Sequence, residues 1–271
     1  MKKQKSLFII VIGLLISFQV SAGWVITQQS YDSDEGVETA LIETIYLQDN
    51  IMKIVQPEMV TMFNLNTETI TLMSPIKKVY WTGKIADYKK EIIVAMQTAM
   101  EEQLENAREE QKEMIRKMYL GMIEGIENPS KFAGEEPEEY DLQIEKTGDK
   151  ERVAGRMAYK YSISVNGSVK EEAWLSESDK PHEEFDISKF YDIFGEFTSQ
   201  AGTSSFYQNH EKYIEFAKKG FPLKSINYYG GYESISEVTN LEKENIEASE
   251  FTPPADYEKV SLVEIGLEEQ E

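Results

Sequence analysis

Between residues 23 and 81, short apolar runs alternate with polar turns at a spacing that fits strands. Gly23–Gln29, Leu41–Leu47, Ile51–Val55, Met59–Phe63, Thr69–Leu72 and Ile76–Trp81 read as strands, with Asp49-Asn50 and Asn64–Glu68 as turns and Pro75 as a stop. The run Thr69-Ile70-Thr71-Leu72 alternates cleanly, as a half-buried strand does. Strands so close in sequence imply an antiparallel meander, because parallel neighbours need long crossovers. From Ala86 to Ile126 the period changes. Ile92, Met96, Met100, Leu104, Ala107, Met114, Met118 and Met122 recur at helical steps with charged residues between them. One long helix is therefore expected over 86–126, stopped by Asn128-Pro129. The Glu- and Pro-rich stretch Gly134–Tyr140 reads as a solvated loop.

The second half returns to strands. Met157, Tyr159, Tyr161, Ile163 and Val165 form one apolar face, Asn166-Gly167 signals a hairpin, and Val169–Leu175 is the return strand. A strict two-residue turn pairs Ile163 with Lys170 and sets charge against the apolar face. A three-residue loop, Val165-Asn166-Gly167 with Gly167 left-handed, pairs Ile163 with Val169, Met157 with Leu175 and Lys160 with Glu172. Register follows the buried face, which selects the three-residue loop. Asp186 is a good N-cap for a helix carrying Ile187, Phe190, Tyr191, Phe194 and Phe197 on one stripe. A second helix is expected over Tyr207–Lys218, with Gly220 as its C-cap. Strands Leu223–Tyr229 and Tyr232–Leu241 flank a Gly230-Gly231 turn, and Phe251–Val260 reads as an ordered tail.

The N-terminus changes the picture of where the chain works. Lys2, Lys3 and Lys5 precede an apolar run from Leu7 to Ile16 that ends in Val20-Ser21-Ala22. This is the charged, apolar, small-residue order of a cleavable secretory signal peptide over residues 1–22, with the mature domain at 23–271. A spanning helix needs roughly 20 apolar residues, and this run is shorter. No later stretch is long enough to span a membrane, so the expected location is exported, periplasmic or extracellular. The formal charge is −21, and removal of the three lysines lowers it by three more. Such acidity excludes nucleic acid as a partner, since phosphates would be repelled. There is no cysteine, so the fold holds without disulfides.

Candidate chemistry is sparse. The two histidines, His182 and His210, stand in separate contexts, and no nucleophile elbow, phosphate-binding glycine loop or zinc-binding His pair is present. No catalytic residue, cofactor or metal site is assigned. Asp32–Gly36, with Glu43 at the twelfth position, only loosely fits a calcium loop, because the glycine comes one residue early. A solvated acidic loop accounts for it better. The methionines of the long helix suit apolar packing or an adaptable groove better than copper. Asn166-Gly167-Ser168 matches a glycosylation sequon, but the hairpin explains it.

Four stretches resemble the LolA-like half-barrels of exported bacterial proteins, related to the periplasmic lipoprotein carrier. They are Asp49–Ile54 running through Phe63–Asn66 to Lys78–Trp81, Tyr161–Trp174, Gly220–Lys224 and Phe251–Val260. The resemblance implies an α+β fold, a curved antiparallel β-sheet forming an incomplete barrel covered by helices, with the long helix as an insertion. It also implies an apolar cavity that in relatives accepts acyl chains. Two functions then compete. One is binding of a lipid or other apolar ligand, with Ile70, Leu72, Tyr159, Tyr161, Ile163, Phe190 and Phe194 lining the cavity. The other is a non-enzymatic structural or envelope-stress protein with a self-filled core and an acidic surface.

Overall fold

The computed structural model describes residues 22–127, 140–200, 206–229 and 231–266. The proposed signal peptide lies outside them except for Ala22, as does most of the loop expected at 134–140. Twelve strands form one sheet: β1 Gly23–Asp32, β2 Leu41–Gln48, β3 Ile51–Val55, β4 Val60–Asn64, β5 Thr69–Ser74, β6 Val79–Lys84, β7 Leu142–Val153, β8 Arg156–Val165, β9 Ser168–Ser176, β10 Phe221–Tyr229, β11 Tyr232–Glu244 and β12 Glu258–Lys259. Their order is β12-β6-β5-β4-β3-β2-β1-β11-β10-β9-β8-β7. Two antiparallel meanders are thus joined through β1 and β11, and only the β12–β6 pair is parallel. The ends of the sheet do not pair with each other, so it is curved and unclosed, the incomplete barrel that the resemblance implies. The expected Asp49-Asn50 turn has both residues at positive φ, 51° and 62°, matching the twist of its flanking strands.

Among the described residues five α-helices accompany the sheet: α1 Ile85–Asn106, α2 Glu109–Glu127, α3 Ile187–Gln200, α4 Glu211–Ala217 and α5 Leu262–Gly266. None of the described helices is long and apolar enough to cross a membrane. The single helix expected over 86–126 is two. Ala107 is extended (φ −86°, ψ 150°), and Gln111 Oε1 accepts the Arg108 amide at 3.3 Å, a cap that starts a new helix there. Residues 108–113 are all polar, so no apolar contact holds a continuous helix through that turn. Asp186 caps α3 as expected, its Oδ1 accepting the Lys189 amide at 3.1 Å. The β2–β3 turn anchors the start of α3, because Asn50 Oδ1 accepts the Asp186 amide at 2.9 Å. The helix expected over 207–218 is a 3-10 turn, Phe206–Asn209, followed by α4, with His210 Nδ1 accepting the Lys212 amide at 3.1 Å. Gly220 is not its cap. A Cβ there would lie 2.0 Å from Ser176 O, so glycine is needed for the close pass of the chain against β9.

The β8–β9 register corrects the expected hairpin. Val165 pairs with Ser168 across a two-residue Asn166-Gly167 turn, φ 52° and 75°, so Gly167 is left-handed as expected. A bulge at Lys170 then shifts the pairing, so that Ile163 faces Glu171 and Tyr159 faces Leu175. Ile163 therefore meets neither Val169 nor Lys170. Lys160 pairs with Trp174, yet its ammonium still reaches Glu172 diagonally at 2.9 Å.

The core is in three parts. Ile26, Leu65, Ile70, Phe63 and Trp81 pack with Phe190 and Phe194 of α3 and with α1 and α5. Tyr161, Ile163, Ala173 and Leu175 pack with Tyr207, Tyr213 and Phe216 beneath α4. A third cluster of Val60, Met62 and Met73 is covered by Phe251 and Tyr257 of the tail. Ion pairs Lys53–Glu250 at 3.0 Å and Lys78–Asp256 at 2.8 Å help tether that tail.

Candidate functional site

The structure divides the seven residues expected to line a cavity into two groups. Ile70 and Leu72 belong with Phe190 and Phe194, whose rings lie 5.2 and 5.0 Å from that of Phe63 in edge-to-face contact. Tyr159, Tyr161 and Ile163 belong to the cluster under α4. Ile70, Ile163 and Phe194 are fully buried by neighbouring side chains. The seven do not converge on one space, and none lines the cavity described next.

Between the two clusters the sheet carries a polar seam. Directly paired residues share a face, and the rows across β9, β10, β11 and β1 read Glu171–Asn227–Ser234 and Ala173–Ser225–Ser236–Ser30. Ser30 and Ser236 hydrogen-bond at 2.7 Å. Glu43, one position along, accepts from the amides of Gln28 and Gln56, so its carboxylate serves the sheet and not an acidic loop.

Glu171 is the focus of the seam. The bulge at Lys170 turns its side chain beside Ile163, where it is only 3 % exposed. Tyr213 donates to its carboxylate at 3.1 Å and Tyr207 at 3.2 Å. These hydroxyls, with Gln208, stabilise the ionised form, but burial outweighs them and holds the Glu171 carboxyl above the usual carboxylate range. The phenols respond in kind. Burial and then the Glu171 charge push Tyr191 of α3 up to about 12, and Tyr213 is raised by the same two causes. Among the described residues Glu171 has no ion pair.

Glu171 opens onto a cavity of about 210 Å³ walled on its polar side by Gln28, Gln208, Tyr213, Ser225, Asn227 and Ser236. Phe221, Leu223 and Val238 form an apolar side. Asn227, the direct cross-strand partner of Glu171, has its Oδ1 buried without a hydrogen-bond partner. The site thus presents a carboxyl group and an unused acceptor side by side, with no side-chain cation among the described residues of its wall. No group of metal-ligating side chains is found among the described residues. His210 is occupied in capping α4, and His182 sits in the turn before α3. Two larger surface grooves, about 410 and 570 Å³, have charged walls, Lys90, Glu91 and Lys259 in one and Glu145, Glu211 and Lys212 in the other.

Sequence reasoning did not find Glu171. The signal was the Asn-Gly turn itself, whose strict two-residue form already carries charge toward the apolar face.

A family profile described as "Domain of unknown function (DUF4412)" matches residues 96–257. No curated protein matches the chain. Solved structures similar to it include MucB in complex with MucA(peri), 12% identical over 89% of this chain and 57% of that one, with a TM-score of 0.38. The MucA/MucB complex of Pseudomonas aeruginosa is 12% identical over 89% of this chain and 59% of that one, with a TM-score of 0.37. PNGF-II is 10% identical over 86% of this chain, with a TM-score of 0.36, and the match spans 31% of its length.

Proposed function

We propose, for a chain that belongs to the DUF4412 family, that it is an exported, non-catalytic binding protein and that the cavity at Glu171 holds its ligand. One observation carries the reading: a buried carboxyl group served only by neutral donors adjoins an acceptor, Asn227 Oδ1, that nothing satisfies. A buried polar atom without a partner is costly, and a ligand that donates to it removes the cost. Burial raises Tyr191 and Tyr213 beside Glu171, which disfavours a phenolate nucleophile there.

The apolar-ligand reading would require space between the sheet and α3. There Phe190 and Phe194 already pack edge-to-face on Phe63, which supports a self-filled apolar half. The ligand expected is therefore small and polar. The test is a thermal-shift screen of small polar metabolites alongside a fluorescent fatty-acid titration, on the wild type and on Glu171→Gln. Polar compounds should stabilise the wild type and lose that effect in the variant. Saturable fatty-acid binding, with no polar compound acting, would replace this reading with lipid carriage.

A further inference from the structure

We infer that the group seated against Glu171 is a small organic ammonium. This rests on the binding reading above and narrows its ligand. Among the described residues every donor on the Glu171 carboxylate is neutral: the hydroxyls of Tyr207 and Tyr213, at 3.1 to 3.2 Å, and the amide of Gln208. A buried carboxylate without a cation is strongly disfavoured, and burial raises the affinity of Glu171 for a proton. A ligand that brings positive charge restores the ionised form. A neutral alcohol or amide leaves that charge uncompensated, and among the described residues of the wall a carboxylate or phosphate ligand meets no Lys, Arg or His.

The acceptors fit the count that an ammonium needs. Its nitrogen carries three N–H donors. Glu171 takes one, and Asn227 Oδ1, buried and unpartnered on the adjacent strand, takes a second. The hydroxyl of Ser225 or Ser236 in the same wall takes the third. Phe221, Leu223 and Val238, which also line the cavity, suit a short alkyl stem. The volume, about 210 Å³, lies below the roughly 300 Å³ at which drug-sized sites begin, so the ligand is small. A formal charge of −21 also concentrates cations around the molecule.

Binding then exchanges a proton for the ammonium, which gives the proposal a signature beyond affinity. Among the described residues the titratable groups facing Glu171 are Tyr207 from the 3-10 turn, Tyr213 from α4 and Tyr191 from α3, and burial raises both Tyr213 and Tyr191. The experiment is calorimetric titration of the exported chain with propylammonium and with propan-1-ol, at pH 6 and 8, in buffers of different ionisation enthalpy. Saturable binding of propylammonium alone is expected, with net proton release and tighter binding at the higher pH until Glu171 is fully ionised. Glu171→Gln should weaken it about tenfold to a hundredfold. Asn227→Ala, which leaves every charge in place, should weaken it about twofold to tenfold. Equal binding of propan-1-ol would overturn the ammonium class and leave the binding reading standing. Glu171-dependent saturation by sodium or potassium chloride would make this an inorganic-cation site. Silence from every probe here and in the polar screen would remove both proposals.

Discussion

Replacing Glu171 with Gln should remove a pH dependence that runs opposite to that of an ion-paired carboxylate. In the folded chain the carboxyl sits above its ordinary range because burial outweighs the hydroxyl donors. Each hydrogen bond to a charged acceptor is worth about 1.5–3 kcal/mol, while removing an ion from water costs several kcal/mol even after relaxation. The folded state therefore binds this proton more tightly than the unfolded chain, whose Glu titrates near 4.3. The stabilisation from that proton is fully present below about pH 4.3 and is lost as pH rises toward the raised folded value. Across that window the slope is at most about 1.4 kcal/mol per pH unit. Gln is isosteric and has no such window. Urea melts of wild type and Glu171→Gln from pH 4.5 to 8.5, with all other titrations common to both, isolate the effect. The stability difference should shift steadily in favour of Gln as pH rises, and then level off. A flat difference, or an advantage for Gln that grows toward acid, would show that Glu171 is not held protonated by its surroundings.

Other outcomes follow from the packing. Phe194→Ala empties a fully buried ring site beside Phe63 and Phe190 and should cost about 3–5 kcal/mol in chemical denaturation; a loss below ~1 kcal/mol would mean that α3 is not locked onto the sheet. Ile163→Trp overfills a fully enclosed position and should cost about 1–3 kcal/mol, whereas an unchanged melt would reveal an open cavity there. Gly220→Ala should be among the most damaging single changes, since its Cβ would lie 2.0 Å from Ser176 O; a soluble variant with wild-type melting would refute the close approach. N-terminal sequencing of exported protein should begin at Gly23, where β1 also begins, and an exported form that keeps Lys2 would contradict the signal-peptide reading.

Strands whose two faces differ were legible, and those whose difference is electrostatic were not. Ile51–Val55 and Thr69–Leu72 could be placed because apolar residues run or alternate along them in the sequence, although Thr71 is buried as well as Ile70, so the second strand is covered on both faces. β7 escaped notice because, of its twelve residues, only Leu142 and Val153 are fully buried and charged residues fill most of the rest, as suits the edge of a sheet. The break between α1 and α2 was written locally, in Gln111 placed to cap Arg108, but the methionine spacing on either side concealed it. The hairpin register failed for a different reason. Keeping charge off an apolar face is sound when nothing satisfies the charge, yet Tyr207 and Tyr213 arrive from 36 and 42 positions further along the chain to receive Glu171. That pairing is non-local, and no window around the turn contains it. Tyr161 and Ile163 were thus placed on the correct strand, one partner away from the residue that defines the site.

The joining of the two meanders through β1 and β11 sets the order in which the molecule can be made. Gly23, at the start of β1, lies opposite Glu244, and β6 receives its parallel neighbour only when Glu258 has arrived. A chain emerging N-terminus first can complete the β1–β6 meander early, but one border of that meander stays bare until nearly the last residues have followed. Pairings this distant in sequence fold slowly, on the scale of milliseconds to seconds. Through that interval the uncovered border of β1 is a template for any other extended chain. Before it folds, the chain should therefore depend on holding factors for longer than its size suggests, and a truncation within β11 should produce aggregation instead of a smaller folded domain.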